Sequence, residues 1–350
     1  MSSFKSCLQK VYFSNTIHSF KNSLCSFHSC NVNNSDQSIH EKSKSFHEYS
    51  SIWKYLDVES TSKYLLENVF YHQNGVVAIN KPLNLGSSRT EDTIYNCLPY
   101  LAKEFGYKYL QLVSVPDKYC SGVTLLSSNE KITKRIEKSL KRSKAIFSRD
   151  PKQTFLAVTV GRPSMQENVN QYGVTKRRKD NINYPLVLHD WGANEVKRRE
   201  VNVGFIRHNV LATSEFASLV SVSTWQMRHH FPRMYLSDVM FSPVLGDNMF
   251  GPRVGSVFEK PVLIKPWHAP AVKALPLPLL QALNARSGSE TLIPLHFHLH
   301  ELVLHQFLID GSHLVLQTEP PNYFQWTLEK LNLSFSESRN CQSKADIFSS

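Results

Sequence analysis

The chain has 350 residues, of which 41% are hydrophobic and 20% charged, so it can build one large domain or two small ones. Its formal net charge of +11 and pI of about 9.3 fit a polyanionic partner such as RNA, DNA or anionic lipid, or a basic protein with no such partner. The six cysteines form no C-x-x-C pair and no apolar run reaches 18 residues, which argues against a thiolate zinc site, a disulfide framework and a transmembrane helix.

The N-terminal segment differs in composition from the rest of the chain. Residues 1–35 contain lysines and many serines but no acid, because the first acidic residue is Asp36. Its apolar residues fall on one helical face, at Phe4, Leu8, Val11, Tyr12 and Phe13. This composition predicts a cleaved mitochondrial transit peptide over residues 1–35, with plain disorder as the alternative. The polar residues 36–62 are interpreted as a linker.

Three elements are predicted next. Residues 59–68 have the composition of a short helix, which overlaps the end of the linker. The apolar run from Val76 predicts a buried strand that stops before Pro82, because proline cannot donate to a sheet. Residues 92–105 are expected to be helical on both sides of an interruption at Pro99.

The stretch VSVPDKYCSGVTLLSS, residues 113–128, contains a turn followed by an apolar run. Taken alone, Asp117 is a turn residue. Ser127 and Glu130 match a capping box at the start of a helix. That helix is predicted to be amphipathic, with apolar residues every four positions at Ile132, Ile136 and Leu140.

The middle of the chain combines strands with polar segments. Residues 153–161 and 217–223 are predicted strands. Residues 162–200 are polar, are expected to be irregular, and contain two basic clusters. Residues 229–247 predict a helix closed by a Ser-Pro turn and followed by a loop.

The last third predicts a helix over residues 274–285 and a strand over residues 292–304. Residues 313–333 follow the pattern of a strand, a Pro-Pro turn and a helix, and residues 335–350 are expected to be disordered. Helices and short strands are mixed rather than strictly alternating. The predicted fold class is therefore α+β, built on a mainly antiparallel sheet.

Two patterns allow competing interpretations. His296, His298 and His300 share one strand face and could bind zinc, but steps of about 7 Å are wide for one ion, so a structural or RNA-facing strand is the alternative. Cys120 could be a nucleophile, or simply a small residue that enters a turn. Glycine-rich phosphate loops are absent from the sequence, which disfavours nucleotide-dependent enzymes.

Six segments in order resemble motifs of the RluA-type pseudouridine synthase family, and the resemblance covers roughly residues 65–332. They are GVVAINKPLNLGSS (75–88), VPDKYCSGVTLLSSNEK (115–131), QTFLAVTVG (153–161), PVLGDNMFG (243–251), LHFHLHELVL (295–304) and EPPNYFQWTLEKL (319–331). The likeness is greatest to a mitochondrial branch of that family. It implies the pseudouridine synthase fold, a mixed sheet with flanking helices around a central RNA-binding cleft, over one catalytic domain.

The resemblance also implies a reaction and a site. Uridine is isomerised by breaking the N1–C1′ bond and remaking the bond at C5, without metal or other cofactor. By position, Asp117 is the essential carboxylate, Arg233 the arginine that pairs with it, and Phe155 the aromatic residue against the flipped base.

The implied partner is mitochondrial mRNA or rRNA in the matrix, with other mitochondrial RNA-granule proteins as further candidates. A monomer without a membrane span is expected. The residues predicted to bind RNA are Lys81, Lys118, Lys176, Arg177, Arg178 and Arg228.

The chain departs from the family pattern at three places. Val115 replaces an arginine that resembles a wedge for the flipped base, and Gln153 replaces a lysine. The family segment Thr-Gly-Arg-x-His-Gln-Ile-Arg has decayed here to QMRHHFPR, which contains Pro232. These losses favour a second hypothesis: a catalytically impaired relative that binds RNA and serves mitochondrial ribosome assembly.

Overall fold

The computed structural model describes residues 57–87, 93–145, 153–258 and 260–333. The predicted transit peptide and C-terminal tail lie outside these residues. In chain order the elements are α1 (Val58–Glu67), β1 (Val69–Gln73), β2 (Val76–Lys81), α2 (Ile94–Glu104), β3 (Gln111–Ser114), β4 (Ser121–Ser127), α3 (Glu130–Ala145), β5 (Gln153–Val160), β6 (Glu167–Lys179), β7 (Ile182–Leu188), α4 (Ala193–Lys197), β8 (Asn202–Thr213), β9 (Ala217–Thr224), α5 (Phe231–Asp238), β10 (Val254–Val257), β11 (Lys260–Leu263), α6 (Leu277–Ala282), β12 (Phe297–Leu304), β13 (Leu314–Gln317) and α7 (Asn322–Lys330).

The described residues divide into two compact units. The first unit contains the residues up to Thr154, together with Leu292–Pro294 and Leu299–Glu319. The second contains Phe155–Thr291, Leu295–His298 and the residues from Pro320 onward. The domain predicted for residues 65–332 therefore includes parts of both units. Helix α1 begins at Val58, so the last residues of the predicted linker 36–62 are helical.

The first unit is built around strands β2 and β4, which pair antiparallel. β1 pairs with β2 through a tight turn at Asn74-Gly75, β3 pairs with β4, and β13 pairs with β12. Apolar residues of β2 and β4 pack with α1 and α2 in one buried cluster that includes Val77, Ile79, Leu101 and Leu126. The predicted strand ends at Lys81 as expected.

Two local predictions in the first unit are wrong. Pro99 does not interrupt the helix, because α2 runs through it without a break. Ser127 does not cap α3, since it lies at the end of β4 and its hydroxyl is 2.6 Å from that of Thr133. The cap is Asn129, whose side-chain oxygen accepts a hydrogen bond from the backbone N–H of Ile132 at 3.0 Å.

The second unit has the strand order β5-β9-β8-β6-β7, with antiparallel pairing of β9 to β8, β8 to β6 and β6 to β7. The prediction of an irregular segment over residues 162–200 is wrong, because β6 and β7 form a long hairpin there. Much of β6 is exposed, so it lacks the apolar alternation that marks a half-buried strand. The hairpin turns at Asp180 and Asn181, both with positive φ, as a two-residue hairpin turn requires.

The remaining elements agree with the predicted pattern. The strands over residues 153–161 and 217–223, the two C-terminal strands and the last helix are all confirmed. The helix predicted within residues 229–247 is shorter, Phe231–Asp238, and every residue in it is buried. The class is α+β on a mainly antiparallel sheet, as predicted. Among the described residues, no helix is long and apolar enough to cross a membrane.

Candidate functional site

Asp117 lies in the short loop between β3 and β4. The loop is closed by a backbone hydrogen bond of 3.0 Å from the N–H of Cys120 to the carbonyl of Asp117. Pro116 is buried, whereas Asp117, Lys118 and Tyr119 are exposed, so the carboxyl group stands at an accessible turn. The ammonium of Lys118 lies 5.7 Å from the centre of the Tyr119 ring.

Lys81 is fully buried beneath this loop. Its ammonium donates hydrogen bonds to the carbonyls of Pro82 at 3.0 Å and Leu85 at 3.1 Å, and a longer one to the carbonyl of Lys118 at 3.5 Å. The prediction that Lys81 binds RNA is therefore wrong, because a side chain without solvent exposure cannot reach a phosphate. Lys81 instead connects the end of β2, through its hydrogen bond to the carbonyl of Lys118, to the loop that contains Asp117.

The charge of Lys81 acts on the same loop. Burial lowers the pKa of Lys81 to about 8, although the nearby groups of Cys120 and Asp117 act in the opposite direction. Asp117 and Lys81 are thus within electrostatic reach of each other. An opposite charge at this range favours the ionised form of a carboxyl group, which is the form that the implied chemistry requires.

The small residues after the loop have a steric reason. Gly122 has a φ of 121°, and a Cβ at this position would lie 2.2 Å from the carbonyl oxygen of Leu299 on β12. Glycine is therefore required where β4 passes β12. Cys120 is buried and its thiol donates to the carbonyl of Ser121 at 3.3 Å, which agrees with a packing role rather than with a nucleophile.

Arg233 belongs to the second unit and forms a buried bidentate pair with Asp247. Its Nε and Nη2 donate to the two carboxylate oxygens at 2.8 and 2.7 Å. Asp247 also accepts the backbone N–H groups of Met249 and Phe250. Burial alone would raise the pKa of Asp247, but Arg233 and these hydrogen bonds outweigh it and leave the pKa lowered.

Asp247 is a site residue that the sequence reading did not assign, although its Gly-Asp motif was noted. The predicted pairing of Arg233 with Asp117 stays a prediction, since the two residues belong to different units.

Pro232, one of the departures from the family pattern, occupies the first turn of α5, where its missing N–H costs nothing. The preceding His229 and His230 both have positive φ, 58° and 57°.

Phe155 is fully buried on β5, and its ring stacks on Phe297 with centroids 4.6 Å apart and planes 9° from parallel. This arrangement is contrary to the predicted role, because stacking on a flipped base needs an accessible ring face.

The remaining predicted RNA-binding residues are exposed. Lys176, Arg177 and Arg178 lie near the end of β6, and Arg228 donates to the side-chain oxygen of Asn202 at 2.8 Å. The structure brings Lys176 close to the segment that contains Arg228. Burial, and after it the charges of Lys176 and Arg228, lower the pKa of His229.

The three histidines of β12 have protein partners. His296 is buried and its Nε2 is 2.8 Å from the hydroxyl of Thr327. His298 is also buried and lies near the ring of Phe324, while Nδ1 of His300 is 2.8 Å from the carbonyl of Thr318. These contacts agree with the structural interpretation. Within the described residues there is no cluster of side chains suited to a metal ion.

No family model matches the chain. The curated relatives that it resembles are all named as mitochondrial pseudouridine or pseudouridylate synthases. The human mitochondrial mRNA pseudouridine synthase RPUSD3 is 27% identical over 263 residues, which is 74% of each chain. The mouse Rpusd3 is 27% identical over 287 residues, covering 80% of this chain and 81% of the relative. The human mitochondrial pseudouridylate synthase RPUSD4 is 23% identical over 300 residues, covering 81% of this chain and 74% of the relative.

One solved structure shares the fold over nearly its whole length. Human RNA pseudouridylate synthase domain containing 4 superposes with a TM-score of 0.62 at 21% identity. The match covers 79% of this chain and 98% of the solved one.

Proposed function

Because the chain belongs to the RluA-type pseudouridine synthase family, we propose that it isomerises uridine to pseudouridine in a mitochondrial RNA. The names of the RPUSD3 and RPUSD4 relatives support both the reaction and the organelle. The acid-free N-terminus supports import into the matrix independently. The RPUSD3 relatives are named for mRNA, so mitochondrial mRNA is the first candidate substrate, and rRNA is the second.

The reaction rearranges one nucleoside without a net change in its atoms. The N1–C1′ bond breaks, the uracil turns, and C5 bonds to C1′. The proton on C5 is then lost and N1 ends protonated, so no cofactor has to supply or accept electrons. We assign the carboxylate that assists this sequence to Asp117, acting on the sugar as a nucleophile or as a base.

The observation that carries the proposal is the construction of the Asp117 loop. The carboxyl group is exposed at a turn, while the backbone beside it is fixed from below by the buried ammonium of Lys81. A catalytic group must be accessible to substrate and yet held in position. In our proposal Lys81 is a positioning residue, because its ammonium holds the backbone of the loop that contains Asp117.

The decisive experiment compares two turn aspartates. Asp117→Asn keeps the size of the side chain but removes its charge, and it should abolish pseudouridine formation at a mapped site while RNA binding persists. The matched control is Asp310→Asn, because Asp310 is also an exposed turn residue and its side chain accepts hydrogen bonds from Ser312. Pseudouridine is read by carbodiimide mapping of mitochondrial RNA from depleted cells that express each variant. Full restoration by Asp117→Asn would refute the catalytic assignment.

A second candidate function is an RNA-binding factor for mitochondrial ribosome assembly without catalysis. Phe155 favours it, because its ring is covered by Phe297, as does Val115 in place of the arginine wedge. In that case, Asp117→Asn should restore ribosome assembly in depleted cells as well as the wild type does. No uridine would then lose its modification on depletion.

A further inference from the structure

The β6–β7 hairpin ends in a run of four cations, Lys176 to Lys179, followed by the turn at Asp180-Asn181. Successive residues of a strand point to opposite faces, so Arg177 and Lys179 share one face and Lys176 and Arg178 share the other. The two faces have different surroundings in the second unit.

The face of Arg177 and Lys179 meets the indole ring of Trp267. The guanidinium carbon of Arg177 lies 5.5 Å from the ring centre, the ammonium of Lys179 4.8 Å, and that of Lys265 6.0 Å. Tyr184, directly opposite Arg177 on β7, meets Trp267 edge to face with centroids 6.0 Å apart. We call Trp267, Tyr184, Arg177, Lys179 and Lys265 the Trp267 platform.

The charge of the Trp267 platform is not neutralised by any ion pair among the residues that the structure describes. Within residues 57–87, 93–145, 153–258 and 260–333, none of its three cations forms an ion pair with a carboxylate. Three like charges around one ring repel each other, and the ring quadrupole compensates only in part. A polyanion would relieve this repulsion, whereas a cation or a neutral apolar partner would not.

The opposite face of the hairpin leads toward Arg233. The charge of Lys176 reaches His229, in the segment that enters helix α5, where Arg233 follows four residues later. The exposed cations Lys176 and Arg228 therefore add positive charge beside the hairpin that carries the Trp267 platform, all within the second unit.

We propose that the Trp267 platform binds a single-stranded segment of the RNA substrate. One base stacks on the indole, and the long side chains of Arg177, Lys179 and Lys265 swing from the ring to the adjacent phosphates. Interleaved aromatic and basic side chains are the recurring means of binding single-stranded nucleic acid without sequence readout. The inference rests on the proposed function, because it takes RNA as the substrate.

The first test separates base stacking from phosphate binding. The probe is a labelled oligouridylate of about 20 nucleotides, compared with an abasic strand of equal length and charge. Trp267→Leu removes the aromatic face but keeps an apolar side chain, and it should weaken binding of the oligouridylate by about 5- to 150-fold. Binding of the abasic strand should not change.

The matched control is Trp326→Leu, since Trp326 is half-buried in the same unit and its ring centre lies 5.6 Å from the ammonium of Lys330. This control should bind both strands as the wild type does. If Trp267→Leu weakens both strands equally, Trp267 only holds the hairpin in place, and the inference is wrong.

The second test concerns charge. Replacing Arg177, Lys179 and Lys265 together by glutamine should lower the slope of log affinity against log salt by about 2, at about 0.7 per phosphate contact on a single strand. An unchanged slope would also overturn the inference.

Both tests are repeated in full-length Asp117→Asn protein. The effect of Trp267 on binding should persist there without pseudouridine formation. If the wild type forms no pseudouridine but Trp267→Leu still weakens RNA binding, the proposed function is refuted and the inference about the Trp267 platform is retained. If the wild type is active but Trp267→Leu does not affect RNA binding, the inference about the platform is refuted and the proposed function is retained.

Discussion

The buried ammonium of Lys81 makes the folding stability of this protein depend on pH in a defined direction. Its pKa is about 8 in the folded chain against an ordinary value of 10.5. The protonated lysine is therefore better accommodated in the unfolded chain, which binds more protons between these two values. Stability must then rise as the pH increases from 8 to 10.5, since the penalty for burying a charge disappears.

The magnitude follows from the shift. A difference of about 2.5 pKa units at about 1.4 kcal/mol each amounts to a penalty of about 3.5 kcal/mol below pH 8. Integrating both titrations, about 2.5 kcal/mol of this penalty is relieved by pH 10. The side chain is fully buried, so screening by solvent does not reduce the figure.

Urea unfolding of the wild type and of Lys81→Met at pH 7 and pH 10 measures this effect. Tyrosines and other lysines titrate in both proteins, so their contributions cancel in the double difference. The wild type should gain about 2.5 kcal/mol relative to the methionine variant over this range. If the two proteins respond equally to pH, Lys81 does not titrate with a lowered pKa, and the penalty for burying its ammonium at this position is refuted.

Two further predictions concern the construction of the two units. Asp247→Asn should lower the unfolding free energy by about 3–5 kcal/mol, because Arg233 would remain buried without its counter-charge; a urea midpoint close to that of the wild type would contradict a structural role for the pair. Gly122→Ala should cost more than about 3 kcal/mol in the same assay, since its Cβ would meet the carbonyl of Leu299. The control Gly106→Ala also has positive φ but nothing within 4 Å, so it should cost only about 1–2 kcal/mol, and equal losses for the two variants would show that backbone angle alone decides.

Elements with a buried apolar run were predictable from the sequence. Strand β2 ends before Pro82 as expected, and β9 lies where its apolar residues indicate. The β6–β7 hairpin was missed, because a strand that faces solvent on most of its length has no apolar alternation to detect. The informative signal was its turn, since Asp180-Asn181 is a pair that accepts positive φ.

Among the site residues, charge was predictable and burial was not. Lysine is almost never fully buried unless paired, so the sequence predicts an exposed Lys81 that can bind phosphate. Its true environment depends on three carbonyls supplied by a turn and by a loop 37 residues away, which no local pattern encodes. The bidentate pair of Arg233 and Asp247 joins residues 14 apart and was hidden for the same reason.

The pair between Arg233 and Asp247 has a consequence for how such a chain can diverge. Both partners are buried within one unit, and the carboxylate already satisfies two donors of the guanidinium. Selection for folding alone therefore retains both residues through any number of generations, whether or not uridine is ever isomerised. A lineage that abandoned catalysis would preserve this arginine and its orientation, and mutations would accumulate first at exposed positions such as Asp117.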